Sequence, residues 1–160
     1  MSDIILSDKD IDVLMREPKP FPENYQSLFQ AKPKRGHNEK EISIARGDGS
    51  QFKVILRQNQ INAFDFSLIL GYVPPKTSKT GMFKLRRYNG KSHPHTNTIE
   101  KQTFYDFHIH QATERYQRAG FHEDTYAEPY PGYANIQEAL DCFIKDCNIV
   151  LPADNQLKLI

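Results

Sequence analysis

Apolar and polar residues alternate through much of the middle of this 160-residue chain. In "NAFDFSLILGYV", Phe64, Phe66, Leu68 and Leu70 recur at every second position, the period of a strand with one buried face. "TFYDFHIHQA" repeats the pattern, with Tyr105, Phe107 and Ile109 on one face and Asp106, His108 and His110 on the other. "MFKLRRY" predicts another strand, sending Phe83, Leu85 and Arg87 one way and Met82, Lys84, Arg86 and Tyr88 the other. "EISIARGDGSQFKVILRQ" predicts a hairpin, because β-branched and aromatic residues flank Asp48-Gly49, a dipeptide that tolerates the positive φ of tight turns. "AKPKRGHNEKE", "PPKTSKTG" and "NGKSHPHTNT" read as connections, the second with a mobile tip and the third opening on the turn dipeptide Asn89-Gly90.

At both ends the apolar period lengthens to that of a helix. Ser7 is placed to cap a helix with Asp10 in its first turn, and Ile11, Leu14 and Met15 line one face until Pro18, Pro20 and Pro22 stop it. "ENYQSLFQ" adds a further turn or two through Tyr25, Leu28 and Phe29. Near the other end, Asn135 precedes Glu138 in capping-box register, and Ile136, Ala139, Leu140, Phe143 and Cys147 follow at helical spacing. The residues after that helix read as extended or frayed. The chain is therefore expected to be a single domain over 1–160. It comprises a helical N-terminal region (1–35), an antiparallel sheet (40–118), an irregular segment (119–132) and a C-terminal helix (135–148). The predicted fold class is α+β, an antiparallel β-meander of about five strands with N-terminal and C-terminal helices packed on one face.

A chain of this length buries roughly 70% of the surface its unfolded form exposes, and 10 Phe and 8 Tyr supply core bulk at a hydrophobic fraction of 38%. The net charge of +1 conceals an uneven distribution. Residues 76–118 carry nine basic against three acidic side chains, and residues 119–160 carry two against seven. A cationic centre of this kind suits a phosphate-rich ligand. Cys142 and Cys147 lie five positions apart on the predicted helix, which puts them on different faces and argues against a disulfide between them. Cys142 is expected in the core. No signal-like apolar run opens the chain, and none approaches the roughly 18 residues of a membrane span. A cytoplasmic protein without a membrane partner is the expectation.

Four of the six histidines fall within residues 93–110, as His93/His95 and His108/His110. On a strand, His108 and His110 project from one face, opposite an apolar and aromatic one. If the Pro-containing loop that carries His93 and His95 folds back over that strand, all four can meet, with Asn97 close by. Three chemistries suit the pattern. A metal site uses imidazoles as ligands for Zn, Ni, Cu or Fe. Metal-free acid–base catalysis on a phosphodiester uses one histidine as base and another as acid, with arginines stabilising the phosphorane. In the third case the histidines only hydrogen-bond across the sheet or bind phosphate. Gly-rich phosphate loops, G-x-S-x-G, H-E-x-x-H and C-x-x-C are all absent from the sequence.

"FKLRRYNGKSHPHTNT…FHIHQATERYQ", a Tyr-rich stretch and "ANIQEALDCFIKDCNI" resemble an uncharacterised family of small bacterial proteins. That family has an R-Y-N/D-G strand end, an H-x-N element and an H-x-H strand. More distantly, the layout is similar to TumE-type toxins of toxin–antitoxin systems. The resemblance spans roughly residues 52–149, with matching positions at Arg87, Tyr88, Asn89, Gly90, His95, Asn97, His108 and His110. The longer N-terminal region and the "TERYQRAGFHEDTYAE" segment depart from the TumE-type pattern. The resemblance implies a cytoplasmic bacterial protein, toxin-like and neutralised by an antitoxin protein.

The leading expectation is a protein acting on nucleic acid through a histidine-centred, metal-independent ribonuclease or nucleotide-modifying site. His95, His108 and His110 are its candidate catalytic residues, and Arg86, Arg87, Tyr88, Lys91, Asn97 and Arg115 its candidate nucleic-acid contacts. No cofactor is needed in that reading. The alternatives are a divalent metal such as Zn on His93, His95, His108 and His110, or a non-catalytic binding or regulatory module for a partner protein or phosphate. RNA or another phosphate-rich ligand, an antitoxin and a homodimer are the expected partners.

Overall fold

In the computed structural model, residues 4–28, 32–75 and 81–152 are described. The chain runs α1 (Asp8–Arg16), β1 (Lys19–Pro20), α2 (Tyr25–Leu28), β2 (Lys32–Lys34), β3 (His37–Ala45), β4 (Gln51–Asn59), β5 (Phe66–Val73) and β6 (Phe83–Asn89). It continues with β7 (His95–Asn97), β8 (Gln102–Phe104), β9 (His108–Gln111), α3 (Glu114–Arg118), β10 (Ala127–Pro129), α4 (Ile136–Asp146) and β11 (Ile149–Val150). The fold is α+β. Seven strands form one sheet in the order β10-β9-β6-β5-β4-β3-β2, and every neighbouring pair is antiparallel. Two short ribbons stand apart from it, the parallel pair β1-β11 and the hairpin β7-β8. Among the described residues, no helix is long and apolar enough to cross a membrane.

One face of the sheet is apolar from strand to strand. Ile42 sits opposite Val54, Val54 opposite Leu70, Leu68 opposite Tyr88, and Tyr88 opposite Ile109. These residues share one buried cluster with Ile11, Leu14 and Met15 of α1 and with Ala139, Leu140, Phe143 and Cys147 of α4. Both helices begin as their sequences predict. Ser7 and Asp10 form a reciprocal capping box, and Asn135 accepts the Glu138 amide N–H. Lys19 ties the far ends of α1 and α4 together. Its Nζ is buried and donates to the carbonyls of Met15, Glu17 and Cys147 at 2.7–2.9 Å.

Six features differ from expectation. The basic connection "AKPKRGHNEKE" forms the edge hairpin β2-β3, because Arg35 and Gly36 both take positive φ (52° and 84°), the conformation of a type I′ turn. Strand β6 does not alternate strictly. Its register against β5 shifts between Leu70 and Gly71, so Phe83, Leu85 and Tyr88 all reach the core. Phe64 lies before β5 and is half exposed. Residues 114–118 are helix rather than sheet, capped by Thr113, and the segment expected to be irregular contains β10. Cys147 is the fully buried cysteine, while Cys142 is only partly covered; neither is in a disulfide. Residues 76–80 of the expected mobile loop, Phe29 of the second helix and residues 153–160 lie outside the described residues.

The turn after β6 holds the chain close to the start of β5. Gly90 N–H donates to the Phe66 carbonyl at 3.0 Å, and Lys91 N–H to that of Phe64 at 2.8 Å. A Cβ at position 90 would stand 1.9 Å from the Phe64 carbonyl oxygen, a backbone atom with nowhere to go. Gly90→Ala is therefore expected to destabilise the fold by at least about 2 kcal/mol, read as a lower midpoint in urea unfolding.

Candidate functional site

Strand β9 presents opposite faces to opposite environments. Ile109 joins the core, and His108 and His110 project from the other side of the sheet. The hairpin β7-β8 folds over that side, as the Pro-containing loop was expected to do, and brings in His95. The His95 ring centroid lies 5.6 Å from that of His108 and 4.8 Å from that of His110, and His108 and His110 are 4.9 Å apart. One ring nitrogen from each of the three falls within 4.8 Å of the others. His108 and His110 are only 5% and 4% exposed, and Phe104 packs on the rings of His95 and His108.

Each imidazole has one nitrogen tied to an oxygen that can only accept. His108 Nδ1 donates to the Asp106 carbonyl and His110 Nδ1 to the Asp124 carbonyl, both at 2.8 Å. His95 Nε2 lies 2.8 Å from Asn97 Oδ1. The orientation of that amide is set by the backbone of Ala127, whose N–H donates to Oδ1 at 2.9 Å and whose carbonyl accepts from Nδ2 at 2.7 Å. Oδ1 is thus an acceptor, so His95 Nε2 carries the proton. In the neutral form of each ring the remaining nitrogen offers a lone pair. Burial pushes the pKa of His108 down and that of His110 down to about 2, with Arg87 and the neighbouring rings adding to the effect. The neutral, ligating form is the one this environment favours.

The tip of the covering hairpin is held from below. Glu100 receives hydrogen bonds from the Tyr116 hydroxyl and from Arg115, and the same hydroxyl accepts from Ile99 N–H at 3.1 Å. Helix α3 therefore fixes the height at which His95 hangs over β9.

Two clefts open beside the cluster, and His95, His110 and Arg87 line both. One, of about 270 Å³, also includes Asp65, Ser67, Asn89, Ser92, His93 and His108. The other, of about 310 Å³, also includes Lys84, His122, Asp124 and Thr125. The register across β6 and β9 puts Arg87 directly opposite His110 and Asn89 directly opposite His108. Arg87 Nε is 3.4 Å from Asp124 Oδ2, an ion pair by charge, yet neither atom makes a hydrogen bond.

Of the residues singled out in the sequence, His95, His108, His110, Arg87 and Asn97 come together. His93 does not join the cluster; it lies on the cleft rim with its Nε2 3.2 Å from Ser92 Oγ. Arg86 points to the helix face, where Tyr88, Cys147 and Asp146 are its electrostatic neighbours. Tyr88 is fully buried, and its hydroxyl donates to Asp146 at 2.7 Å. Lys91 sits over the Tyr105 ring, 5.2 Å from its centroid, and Arg115 pairs with Glu100. Asp124 was missed. It belongs to the stretch expected to be irregular, and nothing in its local spacing signals that the chain returns there to the sheet edge.

Comparison with protein families, with curated proteins and with solved structures returned no match. The chemistry of the site is therefore read from its own geometry.

Because His110 is held neutral when folded, the protein has a pH signature without any ligand. Unfolded chains bind a proton on His110 below about pH 6.5, and the folded chain resists it down to about 2. Between these values the unfolded state holds more protons, so stability falls as pH falls. From pH 7.5 to pH 5 the expected loss is about 2 kcal/mol from this residue, measured by denaturant unfolding of chelator-treated protein. His110→Phe should flatten the slope.

Proposed function

We propose that the protein is a metal-dependent hydrolase whose centre is a divalent transition metal bound by His95, His108 and His110. The observation that carries this reading is the set of three ring nitrogens, one from each histidine, within 4.8 Å of one another, on rings that each have one nitrogen anchored to an acceptor. That second layer of hydrogen bonds is the arrangement that orients histidine ligands and raises their basicity. Three imidazoles suit zinc and leave a fourth tetrahedral position for water.

Asp124 supplies the proton acceptor. It is 5% exposed, lines the cleft of about 310 Å³ with His95 and His110, and its Oδ2 has no hydrogen-bond partner. A metal held by the three histidines would supply a polarised water as nucleophile, and Asp124 would take that water's proton as its oxygen adds to the electrophilic atom of the substrate. The bond to the leaving group would then break, and Asp124 would return that proton to the departing group.

The metal-independent acid–base reading places a protonated histidine at the same spot. Burial of His108 and His110 opposes that charge, and the fixed N–H donors already point at carbonyls rather than at a substrate. The same residues therefore favour ligation.

Protein expressed without a histidine tag and supplied with zinc is expected to retain one equivalent by elemental analysis. Cobalt substitution should give the visible absorption of a tetrahedral centre. His108→Ala should lose the metal while keeping its circular dichroism spectrum, and Asn97→Ala should weaken binding about 10- to 100-fold. Retention of far less than one equivalent by the folded wild type would overturn the assignment.

A further inference from the structure

The metal reading leaves two polar groups of strand β6 unused. Arg87 makes no hydrogen bond among the described residues; its one ion pair is the 3.4 Å approach of Nε to Asp124. Asn89 spends its Oδ1 on the Ser67 hydroxyl, which donates at 3.0 Å, and its Nδ2 makes no hydrogen bond among the described residues. These two side chains occupy alternate positions of one strand and so face the same way. They are also the register partners of two of the three proposed ligands, Arg87 of His110 and Asn89 of His108. Directly opposed residues on antiparallel strands stand roughly 4.5–5.5 Å apart at Cα, so two free donors run parallel to two ligands at the distance of one strand.

We propose that the cleft beside the histidines is a seat for a phosphoryl group, with one oxygen on the histidine-bound metal and others on Arg87 and Asn89; this rests on the metal assignment above. The donor set is cationic at Arg87 and carries N–H groups only, so it selects an anion. Three separate points of attachment, a metal and two donors, match a tetrahedral oxyanion better than a carboxylate with its two oxygens. The cleft volume of about 270 Å³ lies just below the roughly 300–1,000 Å³ typical of pockets that enclose drug-sized ligands. A phosphoryl group with a short substituent suits that size. Asp65 also lines the cleft, but its carboxylate is engaged by His37 at 3.4 Å, Asn59 at 3.3 Å and Ser92 at 3.5 Å. With an ester in this seat, hydroxide would add to phosphorus and the phosphorus–oxygen bond to the alcohol would break, the alcohol leaving with the proton held by Asp124, which lines the neighbouring cleft that shares Arg87, His95 and His110.

The test uses zinc-loaded full-length protein and titration calorimetry with inorganic phosphate, at fixed ionic strength, with acetate as the comparison. Phosphate is expected to bind, and to bind more tightly than acetate. Arg87→Gln should weaken it at least tenfold while one equivalent of zinc is retained. Asn89→Asp, nearly isosteric and anionic, should do the same if Arg87→Gln does not fold. Release of nitrophenol from p-nitrophenyl phosphate and from bis(p-nitrophenyl) phosphate then separates monoester from diester substrates. If zinc is retained but phosphate binds no better than acetate, or binds equally to both variants, the phosphoryl seat is rejected and the metal centre stands. Wild type that holds no zinc rejects both.

Discussion

The arrangement of the site depends on one primary amide. Asn97 is almost fully buried, and both ends of its side chain are bound to the backbone of Ala127. A buried amide that lost these partners would strand polar groups at a cost of about 1–3 kcal/mol each, so the pair locks hairpin β7-β8 onto the edge strand β10. That lock places His95 over β9. It also decides which His95 nitrogen is protonated, because Oδ1 is left as an acceptor facing the ring. Asn97 thus sets the tautomer of His95 and holds it over β9, while helix α3 fixes its height.

The sheet separates this chemistry from the core by the period of a strand. Tyr88 and Ile109 face the helices, while Arg87, Asn89, His108 and His110 face the hairpin. The register shift in β6 makes this division possible. Without it, Phe83 and Leu85 would share a face with Arg87, and either the core or the cleft would carry the wrong side chains. The two adjacent arginines show the outcome. Arg86 is absorbed among Tyr88, Cys147 and Asp146, and Arg87 is delivered to the cleft.

Local signals in the sequence reached the helices, their caps, the Asp48-Gly49 hairpin and the same-face pair His108/His110, because each depends on spacing within one element. What spacing could not reach was set by contacts between distant segments. The β6 bulge appears only when β5 is laid beside it. The return of the chain through residues 127–129 to pair with β9 adds an edge strand that three residues, one of them a proline, do not announce. The choice of His95 over His93 depends on the hairpin lock, since both lie in the same H-x-H pair. The basic segment 76–118 was read as one surface, yet Arg86, Arg115 and Arg118 are engaged by protein groups. Arg87 is what that charge excess contributes to the cleft.

Charge balance links the three proposed parts of the centre. Three neutral imidazoles bring no charge, and Arg87 and Asp124 offset each other. A dication added there would leave an uncompensated double positive charge in a mostly buried site, which low-dielectric surroundings strongly disfavour. An anion beside the metal would lower that cost. A hydroxide formed by proton transfer to Asp124 would leave that balance unchanged, so the compensating charge would come from an anionic substrate group beside the metal and Arg87. Asp124, already facing Arg87, is the base whose protonation accompanies formation of that hydroxide. In the proposed centre, metal and anionic substrate would favour one another. The histidines leave this balance to the charged groups around them, because as neutral ligands they bring no counter-charge, and Asp124 and Asp65 already face Arg87 and His37.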